Sequence, residues 1–261
     1  MDPSSFVGVP DWHSAVLAAI FTLPWLIWLG RGWLRSPRLW AAVVLGAAVF
    51  PFAIAWVQVP LQSALNTLWV STLDQATIQR YLLALSIPSL LVASAVQEAA
   101  KAGVAILALR LFGGKTKSPR AGLALGAAAG AGLGGFEAFW VFNRMFGVGW
   151  SWAMVQLGGP LALLGFVERF FTVPFHVGSG ALSGYGYVTG RFWRFWLLAV
   201  LLHTVANFAA VLLQVGALDA VTTEVWLAVV AVLTIGIAIW LRRAAPGPMQ
   251  APDQGTSTGQ P

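Results

Sequence analysis

The sequence predicts an all-α protein: a polytopic transmembrane bundle of about seven to eight helices. Three observations carry this. Of the 261 residues, 58% are hydrophobic and only 9% charged, with mean hydropathy +0.77; a soluble domain carries roughly 25% charged residues. The apolar residues gather into runs near 12–30, 39–59, 81–112, 121–143, 153–188, 195–216 and 223–241, and about 20 residues suffice to cross a bilayer as helix. Fourteen tryptophans suit a chain with two membrane–water interfaces, where Trp is enriched.

The first run, 12–30, has no basic residue before it and no small-residue cleavage site after it, so it reads as a retained span and not as a removed signal peptide. Arg31, Arg35 and Arg38 separate it from the second run, 39–59. Residues 60–80 mix polar and apolar types, which suits an interfacial helix or loop. The third run, 81–112, and the fifth, 153–188, exceed one simple span. For 153–188 the expectation is a short half-helix at 153–166 followed by one crossing at 168–188. The fourth run carries Gly122, Gly126, Gly130 and Gly134 at intervals of four, a bare helix face that lets another backbone approach closely. Residues 1–243 thus form one bundle, with the polar motifs in 80–210. The tail 244–261 is rich in Pro, Gly, Gln, Ser and Thr and should be disordered.

Eleven of the fifteen basic residues fall on alternate loops: Arg31, Arg35, Arg38, Arg110, Lys115, Lys117, Arg120, Arg191, Arg194, Arg242 and Arg243. The positive-inside rule then places the N-terminus outside and the C-terminus inside. The net charge of +6 has this topological cause, so no nucleic-acid partner is expected. The absence of Cys excludes disulfides and thiolate metal sites. Composition suits an integral protein of a bacterial plasma membrane.

Function should lie with ionisable groups inside the apolar runs, because each is costly at bilayer depth. They are Glu98, Lys101, Glu137, Glu168, Arg169, His176 and His203. Glu98 and Lys101 are three apart and therefore neighbours on a helix. Glu137 closes the glycine stripe and points toward another helix. Arg169 and His176 are two turns apart on one face, with Pro174 between them. His203 and Asn207 are one turn apart. At ~1.5 Å per residue, His176 lies about 22 Å and His203 about 13 Å from their basic flanks, so these groups can meet in mid-membrane.

In order, the motifs are Gln97-Glu98-x-x-Lys101, a glycine-rich span ending in Glu137, Glu168-Arg169-x6-His176, and His203-x3-Asn207. This order resembles the superfamily of intramembrane proteases that includes the CAAX prenyl proteases, PrsW and YhfC. The motif at 97–101 is nearest to the PrsW form, and 168–176 is similar to the YhfC segment. Gln97 departs from the pattern, standing where the family has the first Glu of its pair. The resemblance implies hydrolysis of a peptide bond in a transmembrane or lipid-anchored polypeptide. It implies Glu98 as base, His176 and His203 positioning water, Asn207 as oxyanion donor, and Glu137 orienting His176 or sharing its proton. Lys101, Arg169 and Glu168 are supporting. Glu98, His176 and His203 would also suit a zinc ion, so the cofactor is zinc or none. Two alternatives remain open: a non-catalytic scaffold of the same lineage, which includes a γ-secretase subunit, and a proton-coupled transporter.

Overall fold

The computed structural model describes residues 9–112 and 118–245. The expected disordered tail, from residue 246 on, lies outside the described residues, as do Lys115 and Lys117. The described chain is helical, in the order α1 (Trp12–Gly30), α2 (Pro37–Ala53), α3 (Val59–Thr72), α4 (Gln75–Arg80), α5 (Leu82–Phe112), α6 (Pro119–Gly147), α7 (Trp152–Gly158), α8 (Leu164–Val188), α9 (Phe192–Gln214) and α10 (Ala220–Ala244). Seven of these units are long and apolar enough to cross a membrane among the described residues. The chain is an integral membrane protein of the all-α class.

Two boundaries differ from the sequence reading. The mixed stretch after residue 59 is not a separate element at its start. A five-residue π-helical turn, Ile54–Gln58, joins α2 to α3, so one helical rod runs from Pro37 to Thr72. At 1.5 Å per residue that rod is about 54 Å long, well beyond a hydrocarbon core of ~30 Å. The π turn follows Pro51 and precedes Pro60, two residues that cannot donate a ladder hydrogen bond. The break in 153–188 also falls earlier than expected. The short helix ends at Gly159, whose φ of 74° is open to glycine; a 3-10 turn, Pro160–Leu163, leads into α8. Glu168 and Arg169 are therefore inside the crossing helix.

α6 is the centre of the bundle. Its most apolar window is 67% buried, against 22–39% in the other six spans. Its small residues are the reason. A methyl group on Gly126 or Gly130 would overlap the carbonyl oxygens of Gly180 or His176, and one on Gly132 would overlap that of Val43. α6 thus lies backbone to backbone against α8 on one face and α2 on another, which is how small residues substitute for hydrophobic drive in lipid.

The basic loops share one end of the bundle. Arg242 at the end of α10 donates to the carbonyls of Leu29 and Arg31 at the end of α1, at 2.5 and 2.6 Å. Arg120, opening α6, donates to Ala245 O. Arg110 near the end of α5 donates to the Tyr187 hydroxyl near the end of α8 at 2.9 Å. At the opposite end, Asp11 N donates to Asn143 Oδ1 at 2.7 Å, joining the start of α1 to the end of α6.

Candidate functional site

The seven ionisable residues from the apolar runs form one connected chain of contacts across four helices. His203 Nδ1 on α9 lies 2.8 Å from Glu98 Oε1 on α5. The same oxygen accepts from Lys101 Nζ at 2.5 Å. Lys101 spends its other two donors on Ser179 Oγ at 2.7 Å and His176 Nδ1 at 3.1 Å, both on α8. His176 Nε2 lies 2.9 Å from Glu137 Oε2 on α6, within ion-pair range though not aligned for a hydrogen bond. Glu137 Oε1 accepts from Arg169 at 2.9 Å, and Arg169 also pairs with Glu168.

The backbone explains the convergence. On α8, Arg169, Thr172, His176 and Ser179 recur at three and four residues and share one face. The glycine contact with α6 holds that face in place: a Cβ on Gly134 would sit 2.7 Å from that of His176. Burial then enforces pairing. Glu98 and Lys101 are fully enclosed, and Arg169, His176 and His203 are buried. Charges desolvated to this degree persist only with opposite charge and hydrogen bonds beside them.

The tautomers follow from donor chemistry. An ammonium only donates, so His176 Nδ1 is the acceptor and its proton is on Nε2, facing Glu137. His203 Nδ1 faces a carboxylate oxygen and carries the proton, which leaves Nε2 with a lone pair. His176 has both nitrogens engaged. His203 Nε2 has no partner among the described residues and is not sealed from solvent.

A cavity of about 250 Å³ opens beside this chain, between α8, α9 and α10. Gln97, Glu137, Arg169, His176, His203 and Asn207 line its inner part. Leu213 at the end of α9 and Thr223 and Glu224 at the start of α10 line the part toward the end of the bundle opposite the basic loops. It has room for several waters. Glu98 and Lys101 are not among its lining residues; they stand behind His203 and His176. Gln97 donates to Gln58 Oε1 in the π turn at 3.1 Å, while its own Oε1 is buried without a partner.

Glu224 is the functional candidate that the sequence reading missed. At the very edge of the last apolar run, 223–241, Glu224 reads as a loop acid. In the structure α10 begins at Ala220, capped by Asp219 accepting from Thr222 N, and Glu224 faces the cavity with Oε2 buried and unpartnered. The capping Asp219-x-x-Thr222 signal was present in the sequence. All four glutamates of the chain are therefore at or behind this cavity.

The expected zinc set of Glu98, His176 and His203 does not fit a metal as arranged. The Lys101 ammonium already lies between Glu98 and His176. Among the described residues no three His, Asp or Glu side chains converge as ligands.

No protein-family model matches the chain, and neither a characterised protein nor a solved structure resembles it significantly.

Proposed function

We propose that this chain is an intramembrane peptidase related to the CAAX-protease superfamily, acting on a transmembrane or lipid-anchored polypeptide in a bacterial plasma membrane, with its C-terminus inside. One observation carries the reading: a buried histidine with a free nitrogen, oriented by a carboxylate, faces a polar cavity within an otherwise apolar bundle.

The roles follow from access to that cavity. His203 Nε2 takes a proton from a water, and Glu98 acts behind it as a positioning residue that fixes the tautomer and stabilises the imidazolium that forms. The amide of Asn207, free of protein partners among the described residues, donates to the oxyanion that develops on the attacked carbonyl. The His203 imidazolium returns that proton to the leaving amine, while Glu137, held by Arg169, orients His176. Lys101 neutralises Glu98 and fixes His176. This scheme uses the chain's own groups, so activity should survive a chelator.

The chain of contacts also resembles a proton path, which keeps the transporter reading in view. It does not extend across the bundle, however: past Ser179, the next polar group on α8, Ser183, is buried without a partner. Gln97 keeps the scaffold reading in view.

The test is cleavage of single-span membrane polypeptides by the purified chain in liposomes, with His203→Ala, Glu98→Gln and Asn207→Ala beside the wild type. Cleavage by wild type that falls at least a hundredfold in His203→Ala, and unchanged rates in EDTA, are expected. Wild-type cleavage unaltered by His203→Ala overturns the assignment. An inert wild type whose Gln97→Glu variant cleaves places the chain among inactive relatives.

A further inference from the structure

The cavity is lined by more negative than positive side chains. Three carboxylates, Glu137, Glu168 and Glu224, line the cavity against one guanidinium, Arg169. Arg169 is committed to Glu137 and Glu168. Glu224 feels the charge of both Glu168 and Arg169 but contacts neither, and its Oε2 is buried with no donor in reach. The second observation is Gln97. It is 8% exposed, lines the same cavity, and has its Oε1 unpartnered. A partly desolvated carboxylate without a counter-charge costs several kcal/mol, and a cavity with surplus negative charge in low-dielectric walls concentrates cations.

The shape of the cation follows from the same residues. No three acidic or histidine side chains come close enough to share one metal ion among the described residues. Phe171, Ala210, Leu213 and Leu227 fill the wall between the polar groups. Separated carboxylates on apolar walls suit an extended ligand with an apolar stem and a charged head, as a Lys or Arg side chain is built.

We propose that Glu224, with Glu168, forms a binding subsite for an ammonium or guanidinium group carried on an apolar stem, and that in the substrate this group is a basic side chain near the membrane surface opposite the basic loops. Only the second half of this inference rests on the peptidase reading.

The experiment measures binding to the purified full chain in non-ionic detergent, by calorimetry and by shift of the unfolding temperature. Hexylammonium and hexylguanidinium are the probes, with 1-hexanol as their uncharged counterpart. The cations should bind at least tenfold more tightly than the alcohol, and Glu224→Gln should remove that preference while the alcohol's weak binding stays. Equal binding of cation and alcohol overturns the subsite, and this comparison needs no variant. So does a preference that survives in Glu224→Gln, or one abolished by equimolar NaCl or MgCl2, which would assign the charge to inorganic ions. A short apolar peptide carrying Lys, compared with the same peptide carrying norleucine, identifies the source. Preference for the Lys peptide supports a polypeptide substrate; its absence beside tight hexylammonium binding overturns that part in favour of small amines. None of these readouts requires cleavage, so an inactive chain that still prefers the cations would reject the peptidase and keep the subsite.

Discussion

The two sides of α8 show how one helix serves opposite ends. Toward α6 it presents Gly180, Gly184 and the carbonyl of His176 in backbone contact with Gly126, Gly122 and Gly130. Toward α9 and α10 it presents Arg169, Thr172 and the His176 ring beside a cavity. The first side tolerates no added atom; the second has space and unmet hydrogen-bond capacity. The lesson is that the tight seam makes the loose side workable. A buried charge network is stable only if its geometry is held, and here a rigid small-residue contact holds it.

The largest effect should come from breaking the seam. Gly130→Ala forces a methyl into the His176 carbonyl oxygen. Overpacking costs about 1–3 kcal/mol, and here it also displaces His176, so both unfolding temperature and activity should drop. Gly103→Ala is the matched control. A Cβ there meets nothing, and helix propensity alone favours Ala by about 0.5–1 kcal/mol. Equal behaviour of the two variants in thermal unfolding would refute the seam's role.

Next is Lys101, the link between the two sides. Lys101→Met leaves Glu98 enclosed with one neutral partner, and protonation of Glu98 relieves much of the cost of breaking the buried pair. Glu98→Gln combined with Lys101→Met should recover much of it. A double-mutant cycle in a folding assay that returned no coupling would show the pair to be independent.

Cavity-wall variants sharpen the contrast, because activity and stability should separate there. Asn207→Ala and Glu224→Gln delete groups without protein partners among the described residues. Unfolding of Asn207→Ala should stay within about 0.5 kcal/mol of wild type, as for substitutions away from packed features, and Glu224→Gln, which removes an unpaired, partly buried charge, should be no less stable than wild type. Cleavage by Asn207→Ala should fall by one to two orders of magnitude. Unfolded protein in either case would mean the cavity wall is structural.

The smallest effect concerns a cap outside both sides. The backbone N–H of Thr222 holds the Asp219 carboxyl below its ordinary value of 3.8. A depressed folded value means that folding favours the charged form. The cap's contribution is therefore complete at neutral pH and fades as pH falls through and below 3.8. Stability of wild type and Asp219→Ala, followed from pH 6 downward, should converge at the acid end. Curves that run parallel throughout would deny the cap a role.

Much of this was legible along the chain. The glycine period of four located the close helix contact, and the pairing of Glu98 with Lys101 follows from a separation of three. The cost of charge in lipid singled out seven residues, and the fold connects all seven. Glu224 escaped because hydropathy blurs helix starts by a turn, which here separated a loop residue from a cavity residue.

By itself the sequence determined the membrane class, the apolar runs that become the long helices and the grouping of basic residues on alternate loops. Hydropathy and helical period are local properties, written into any window of about twenty residues. Only the tertiary structure decided which histidine keeps a free nitrogen, that Glu98 stands behind the cavity and not in it, and that Lys101 fills the place between Glu98 and His176. Those outcomes depend on the rotation and register of α5, α8 and α9 against one another. A shift of one residue turns a helix by about 100°, enough to exchange an engaged side chain for a free one, and nothing within a single span records it.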